Sequence, residues 1–276
     1  MINKASTYLQ KHGLVRLIIK IINSLLNRLF KFQVVRSSNI DTKIAKKIFG
    51  KSKLVKSDNG YWYLDPMPSE NDLNEYYDSL YWDSRNGKDS GASIRDFLHF
   101  QMLNELVPAS ISKDNCLLNF GAGHGGLSHM AWSIGMDVVN VEPSNLPTYY
   151  EERWQTFLSI KSVLSNSVDI MYGSHSLEHV QDIDEFMFDV KRVLKPNGTI
   201  FWEVPNGKYQ TNGPPTGEIV IPHTYYFTTS FFENCFDEII LNECFDKSHR
   251  LGKIQSWADL KNDEGPVIRT IGKISK

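Results

Sequence analysis

Cysteine is scarce in this sequence and never paired. Cys116, Cys235 and Cys244 are the three present, and none belongs to a CxxC. That excludes a disulfide framework and a cysteine zinc site, and a reducing compartment is the simpler expectation. No internal repeat or low-complexity tract occurs, so collagen-like and wholly disordered classes are excluded as well. No signal peptide is expected, because no small-residue cleavage site follows the first apolar run. Acids are nearly missing from residues 1–56, which hold thirteen Lys/Arg and a single acid, Asp41. The remaining residues reverse this, with seventeen Lys/Arg against thirty-one acids. The formal net charge of −2 therefore hides a basic arm of +12 on an acidic domain of −14.

What is present is the balance of a globular protein, 41% apolar and 22% charged residues over 276 positions. That length suits one large domain with an appendage. In the arm, the polar residues between Leu14 and Phe32 are Arg16, Lys20, Asn23, Ser24, Asn27, Arg28 and Lys31. They step by three, four or one, so they form one narrow stripe on a helix that is otherwise apolar. Four cations in nineteen residues make a full membrane span costly. Two partners stay open for this helix. One is an anionic membrane surface, with the cations at the headgroups. The other is protein, either its own domain or a second copy of the chain in a homo-oligomer. Nucleic acid is disfavoured, since the arm has no interleaved aromatics and no binding motif.

Residues 36–60 are polar and lysine-rich and read as a linker with at most a short helix. Tyr61-Trp62-Tyr63-Leu64 reads as an aromatic strand, closed by Pro66 and Pro68. Ser69 can cap a helix carrying Leu73, Tyr76, Tyr77 and Leu80. From about residue 93 the chain alternates. A helix over 94–107, with Ile94, Phe97, Leu98, Met102, Leu103 and Leu106 at helical spacing, precedes a strand at 116–120. Further strands are expected at 137–141, 156–160, 168–172, 199–204, 239–245 and 266–271. Helices are expected near 126–134, 184–194 and 229–239. Alternation of this kind implies an α/β fold, a mainly parallel sheet with helices on both faces.

The first strand-to-helix turn carries Gly121, Gly123 and Gly125, and the second strand ends at Glu142. Glycines there permit positive φ and close approach of backbone N–H groups to a ligand. An acid ending the next strand can accept hydrogen bonds from both ribose hydroxyls. A nucleoside-bearing ligand at this crevice follows. The spacing is GxGxG, with Gly126 also filling the third place of GxGxxG, so a nicotinamide dehydrogenase stays open at this point.

The remaining motifs discriminate. Leu118-Asn119-Phe120-Gly121-Ala122-Gly123-His124-Gly125 resembles motif I of class I S-adenosylmethionine-dependent methyltransferases. Gly135 to Ser144 resembles their second motif. Val168-Asp169-Ile170 with Ser174-His175-Ser176-Leu177-Glu178-His179-Val180 resembles their fourth-strand motif, and Arg192 to Thr199 the turn before the fifth strand. Pro222-His223-Thr224-Tyr225-Tyr226-Phe227-Thr228 is similar to a segment of bacterial members in sugar and surface-polysaccharide pathways. The matches run in order over about residues 60–275.

The resemblance implies a Rossmann-like seven-stranded sheet, six strands parallel and the last antiparallel, preceded by the N-terminal helical arm. It implies three parts: arm and linker at 1–56, a segment covering the site at 57–110, and the cofactor-binding domain at 111–276. It implies S-adenosyl-L-methionine as cofactor. Asn119, where relatives carry an acid, and Gly121, Ala122 and Gly123 would line it. Glu142 would hold the ribose hydroxyls, Pro143 and Ser144 would flank the adenine, and Ser174 and His175 would face the sulfonium. The acceptor would be an O or N atom on a sugar or surface-glycan precursor. Removal of an acceptor proton calls for a base, and His223 and His175 are the catalytic candidates. Glu203 and Asn206 bracket the end of the fifth strand, and Asn206 could bind the acceptor. Tyr77 and Tyr81 would help close the cofactor pocket, a loop at 209–215 would cover the site, and Tyr225, Tyr226 and Phe227 could stack on a sugar or serve the core. His175, Glu178 and His179 have a spacing that fits a divalent metal, but relatives carry the same letters without one, and no metal is expected. The implied location is cytoplasmic, with the arm at the inner face of the cell membrane. Two rivals are a nicotinamide-dependent oxidoreductase and a non-catalytic membrane- or partner-binding module on the same fold.

Overall fold

The computed structural model describes residues 35–36, 42–77, 90–143, 153–210, 219–246 and 256–275. The helix expected at 14–32 lies outside them. Twelve strands are described: β1 (Val35–Arg36), β2 (Lys53–Lys56), β3 (Tyr61–Asp65), β4 (Cys116–Phe120), β5 (Asp137–Val141), β6 (Gln155–Phe157), β7 (Val168–Ser174), β8 (Leu194–Pro205), β9 (Ile219–Val220), β10 (Tyr225–Phe227), β11 (Glu238–Phe245) and β12 (Val267–Lys273). The α-helices are α1 (Thr42–Phe49), α2 (Glu70–Tyr76), α3 (Ser90–Leu106), α4 (Gly126–Ser133), α5 (Ile183–Val193), α6 (Gly207–Gln210) and α7 (Thr229–Cys235).

Seven strands form the main sheet in the order β11-β12-β8-β7-β4-β5-β6. The pairings from β8 through β6 are parallel, while β12 runs antiparallel to both β8 and β11. Six strands thus share one direction and the last strand of the chain opposes them, as the resemblance implied. The central strands are continuous apolar runs because helices cover both faces. One face buries Phe186, Val190 and Val193 of α5 with Phe231 and Phe232 of α7. The other buries Leu98, Met102 and Leu103 of α3 with Leu127 and Ala131 of α4. Helix α5 is well delimited: the Asp182 side chain accepts from the N–H groups of Asp184 and Glu185, and Lys191 and Arg192 occupy the last turn.

Two expectations need correction. Residues 42–56, expected as linker, are folded as α1 and β2. Their lysines mask Ala45, Ile48 and Phe49, which share one helical face and are buried in a third cluster with Trp62, Leu64, Tyr76 and Tyr226. Phe97, expected on the buried face of α3, is exposed. The polar His99, between Leu98 and Met102, lies on the buried face instead.

Strands β10, β3 and β2 form a small antiparallel sheet, in that order. Pairing of Tyr225–Phe227 with Tyr61–Tyr63 joins the N-terminal segment to the chain that follows β9. Thr228 Oγ1 donates to the Gly60 carbonyl at 2.6 Å, and Leu64 N–H to the Thr224 carbonyl at 3.1 Å. Residues 53–65 are thereby fixed beside the segment that carries His223.

Candidate active site

The carboxyl ends of β4, β5 and β7 are adjacent, and open parallel sheets bind ligands at such edges. The turn after β4 holds Gly121, Gly123 and Gly125 at φ of +68°, +52° and +76°. Gly121 and Ala122 donate backbone N–H groups to the Val141 carbonyl at 2.8 and 3.3 Å, which seats the turn against β5. Glu142 follows β5 and is buried, and its Oε2 accepts the Gly123 N–H at 2.8 Å. At Gly121 an added Cβ would stand 2.5 Å from Cβ of Ser176, so glycine lets the turn approach the segment after β7. At Gly123 an added Cβ would meet nothing within 4 Å. The turn therefore borders open space, next to a buried carboxylate.

After β7, the strand beside β4, stands a cluster of histidines and acids. His175 lies just after β7 at φ +53°, its N–H donating to the Glu203 carbonyl at 2.8 Å. Its Nδ1 is 3.2 Å from Glu178 Oε1 and its Nε2 is 3.3 Å from Glu203 Oε1. His179 Nε2 lies 3.8 Å from Glu178 Oε1. The His179 ring meets those of His223, at 5.0 Å between centroids, and Tyr77, at 6.0 Å. Thr224 holds this arrangement. Its N–H and its hydroxyl both donate to the Glu178 carbonyl at 2.9 Å, and the hydroxyl lies 2.7 Å from the Val180 carbonyl.

Behind His175 the cluster continues into the core. Glu203 accepts from Arg269 Nε at 2.7 Å and is 2.9 Å from His99 Nε2, and all three are buried. His99 Nδ1 lies 2.8 Å from the Tyr172 hydroxyl. Burial pushes His99 down to about 4 against the pull of Glu203, so it is neutral at pH 7. An ionised Glu203 only accepts, which places the His99 proton on Nε2 and makes Nδ1 the acceptor for Tyr172. Burial alone would raise the Glu203 carboxyl; His99, Arg269 and His175 outweigh it and hold the group well below the usual carboxylate range. Burial would likewise raise Glu178, but the bond from His175 and the nearby His179 and His223 bring it down to about 2. Burial opposes a charge on His175, yet its bonds to Glu178 and Glu203 lift it above the ordinary imidazole value.

The chain matches the profile of the Methyltransferase domain family over residues 92–260. It belongs to that family. S-adenosyl-L-methionine is the cofactor that family and fold imply. Among solved structures, the PH0226 protein of Pyrococcus horikoshii OT3 aligns at TM-score 0.50 with 14% identity, over 73% of this chain and 96% of that one. An S-adenosylmethionine-dependent methyltransferase of Mesorhizobium loti aligns at TM-score 0.45 with 15% identity, over 63% and 96%. A provisional sarcosine dimethylglycine methyltransferase of Galdieria sulphuraria aligns at TM-score 0.37 with 17% identity, over 41% of this chain. This chain spans 47% of the length of that protein. No match was found among curated proteins.

The residues present fit the cofactor. The glycine turn leaves a cradle that a Cβ at Gly123 would enter, and Glu142 places a carboxylate beside it for vicinal hydroxyls. Ser174 and His175 lie at the end of β7, and Ser174 Oγ donates to Glu203 Oε1 at 3.3 Å. Pro143 is exposed next to Glu142. Asn119 turns from the cradle toward the core of the methyltransferase: its Nδ2 donates to Ser128 Oγ at 2.9 Å, which donates to Asn140 Oδ1 at 2.7 Å. Ser144, Tyr81 and residues 211–215 lie outside the described residues, while Tyr209 is exposed. Asn206 is spent structurally, its amide donating to the Gly265 carbonyl at 3.0 Å. Tyr225, Tyr226 and Phe227 are buried core residues, with the tyrosine hydroxyls bound to backbone; Tyr77 borders the cluster at His179 and Tyr226 borders it at His223.

Sequence reasoning named Glu203 without a role and missed His99 and Arg269. The signal was there. Glu203 stands in Phe201-Trp202-Glu203-Val204 and Arg269 in Val267-Ile268-Arg269-Thr270-Ile271, lone opposite charges in apolar strands. A charge in a buried strand requires a partner, and each is the cross-strand neighbour of the other.

Proposed function

We propose that this methyltransferase moves the methyl group of S-adenosyl-L-methionine to an O or N atom of a sugar or surface-glycan precursor. The observation that carries the reading is the placement of the glycine cradle and the histidine cluster on neighbouring strands, β4 and β7, at one edge of the sheet. The cofactor brings an activated methyl group, so in-line positioning supplies much of the acceleration. Backbone of Gly121, Ala122 and Gly123 holds the donor, Glu142 takes its ribose, and Pro143 and Ser144 flank its base. Ser174 and His175 stand at the methyl group. Both His175 nitrogens face carboxylates, so this ring is fixed in place rather than available to take a proton. His223 faces the acceptor, beside His179 and Tyr77.

The glycan acceptor is supported by the sequence from Pro222 to Thr228. The charge split supports a place at an anionic cytoplasmic membrane surface, where lipid-linked precursors lie and a basic amphipathic helix binds. No helix among the described residues is long and apolar enough to cross a membrane.

Calorimetric titration with S-adenosylhomocysteine tests the cofactor half, with NADH as control. Micromolar binding that is lost in Glu142→Ala is expected. A folded protein that ignores S-adenosylhomocysteine and binds NADH would overturn the reading. Transfer of labelled methyl to glycan precursors in vesicles of anionic lipid tests the acceptor half.

A further inference from the structure

We propose that Glu178, His179 and His223 bind a divalent cation of the zinc, cobalt or manganese class on the acceptor side of the methyl-transfer site. Each offers one ligand atom, and the three atoms lie within 4.8 Å of one another. Two histidines and one carboxylate are the donor set that such ions take, with bonds of about 2.0–2.2 Å. Around a tetrahedral ion those bonds place ligand atoms about 3.4 Å apart. Side-chain rotations that draw the atoms together by roughly an ångström complete the site.

A second observation points the same way. Glu178 is 1% exposed, and while its Oε1 faces His175, its Oε2 is buried with no hydrogen-bond partner among the described residues. An ionised oxygen left so is costly, and a cation would satisfy it. The surroundings also have the form of a metal site. His175 fixes the Glu178 carboxylate from behind at 3.2 Å, as outer partners orient metal ligands. Thr224 ties the His223 segment to the Glu178 carbonyl, so the ligands from two distant stretches of chain are held together without an ion.

Three protein ligands leave coordination positions open. The proposal rests on reading this cluster as the acceptor side of the methyl-transfer site, and it sharpens the acceptor. A hydroxyl that enters an open position keeps a lone pair for the methyl group and becomes more acidic on the cation. Its O–H bond breaks and the proton passes to bulk water; a pair on the oxygen then forms the O–CH3 bond as the S–CH3 bond of the donor breaks, its pair going to the sulfur of the departing S-adenosylhomocysteine. A coordinated amine would lose its only lone pair to the cation. The site therefore selects a hydroxyl acceptor, best one flanked by a second oxygen that can complete a chelate. His223 is then a ligand and not a base, and the expectation of no metal is revised.

The test uses the full chain, stripped with a chelator and titrated with Co2+, whose visible absorption reports ligation without turnover. One equivalent is expected to bind at micromolar concentration. His179→Ala and His223→Gln should each weaken binding at least tenfold while leaving S-adenosylhomocysteine affinity and the circular-dichroism spectrum unchanged. Glu142→Ala should do the reverse, losing the nucleoside and keeping the cation. Failure to bind one equivalent of Co2+, or binding undiminished in both histidine variants, overturns the metal site. Loss of S-adenosylhomocysteine binding in the unsubstituted chain would instead strike the cofactor reading.

Discussion

Arg269 Nε reaches Glu203 Oε2 at 2.7 Å, and the two residues face each other directly on β12 and β8. Both are buried with a neutral His99 beside them, and Arg269 is the nearest permanent charge to the Glu203 carboxylate, with Arg95 Nε farther off at 4.0 Å. The Arg269 guanidinium also lies over Phe245, with 4.7 Å from the central carbon to the ring centre. Removing one member of a buried pair strands the other. Arg269→Met is expected to cost about 3–5 kcal/mol, read from urea denaturation at pH 7. Adding Glu203→Gln should return part of that loss. Strictly additive losses in the double variant would show that the two do not act as a pair.

Gly123→Ala separates folding from cofactor binding. The residue sits at φ +52°, so alanine costs about 1–2 kcal/mol of backbone strain. Its methyl group would meet no protein atom within 4 Å and would enter the cradle instead. A modestly lowered melting temperature is expected, with S-adenosylhomocysteine affinity reduced at least tenfold. Retained affinity would place the ligand away from this turn.

Stability should fall as the solution is acidified from about pH 6.5 to 4. His99 has a folded value of about 4 against an unfolded value of 6.5, so in this window only the unfolded chain takes up the proton. The expected loss is about 3 kcal/mol at most. Below it, Glu178 and Glu203, whose carboxyls are held down in the fold, lose their contributions as they protonate. His175 acts in the opposite sense: its contribution is complete below 6.5 and fades as pH rises through its raised value. Urea midpoints for the unsubstituted chain and His99→Gln between pH 7 and 4 check this, since the variant should lose the upper part of the acid slope.

Thr224→Val keeps the shape of the side chain and removes the hydroxyl bonded to the Glu178 and Val180 carbonyls. A loss of about 1–2 kcal/mol is expected in thermal melts. S-adenosylhomocysteine affinity should hold, because the glycine turn and Glu142 are untouched. Co2+ affinity should fall with the loosened His223 segment.

Much of the main sheet was legible because its strands are apolar runs separated by helices of clear period, and the glycine turn with Glu142 marked the cradle. The small sheet and its helix were harder to see. Helix α1 hides Ala45, Ile48 and Phe49 among lysines, and β3 pairs with β10, a partner some 160 residues later that no local pattern announces. The histidine cluster was legible in part. His175, Glu178 and His179 are close in sequence, but His223 comes from a later stretch of chain that Thr224 ties to them. In α3 an apolar count favoured Phe97 over His99, because the need of Glu203 for a buried partner is a tertiary fact.

Glu203 and Arg269 are 66 residues apart, and the arginine lies in the final strand. A nascent chain that has emerged only through β8 carries the acid with Arg95, His99 and His175 but without Arg269. Until β12 arrives, Glu203 lacks its direct cross-strand partner and β8 lacks its neighbour on that side. Insertion of β12 supplies both, so a chain cut short before that strand is expected to lose the fold rather than to form a smaller enzyme.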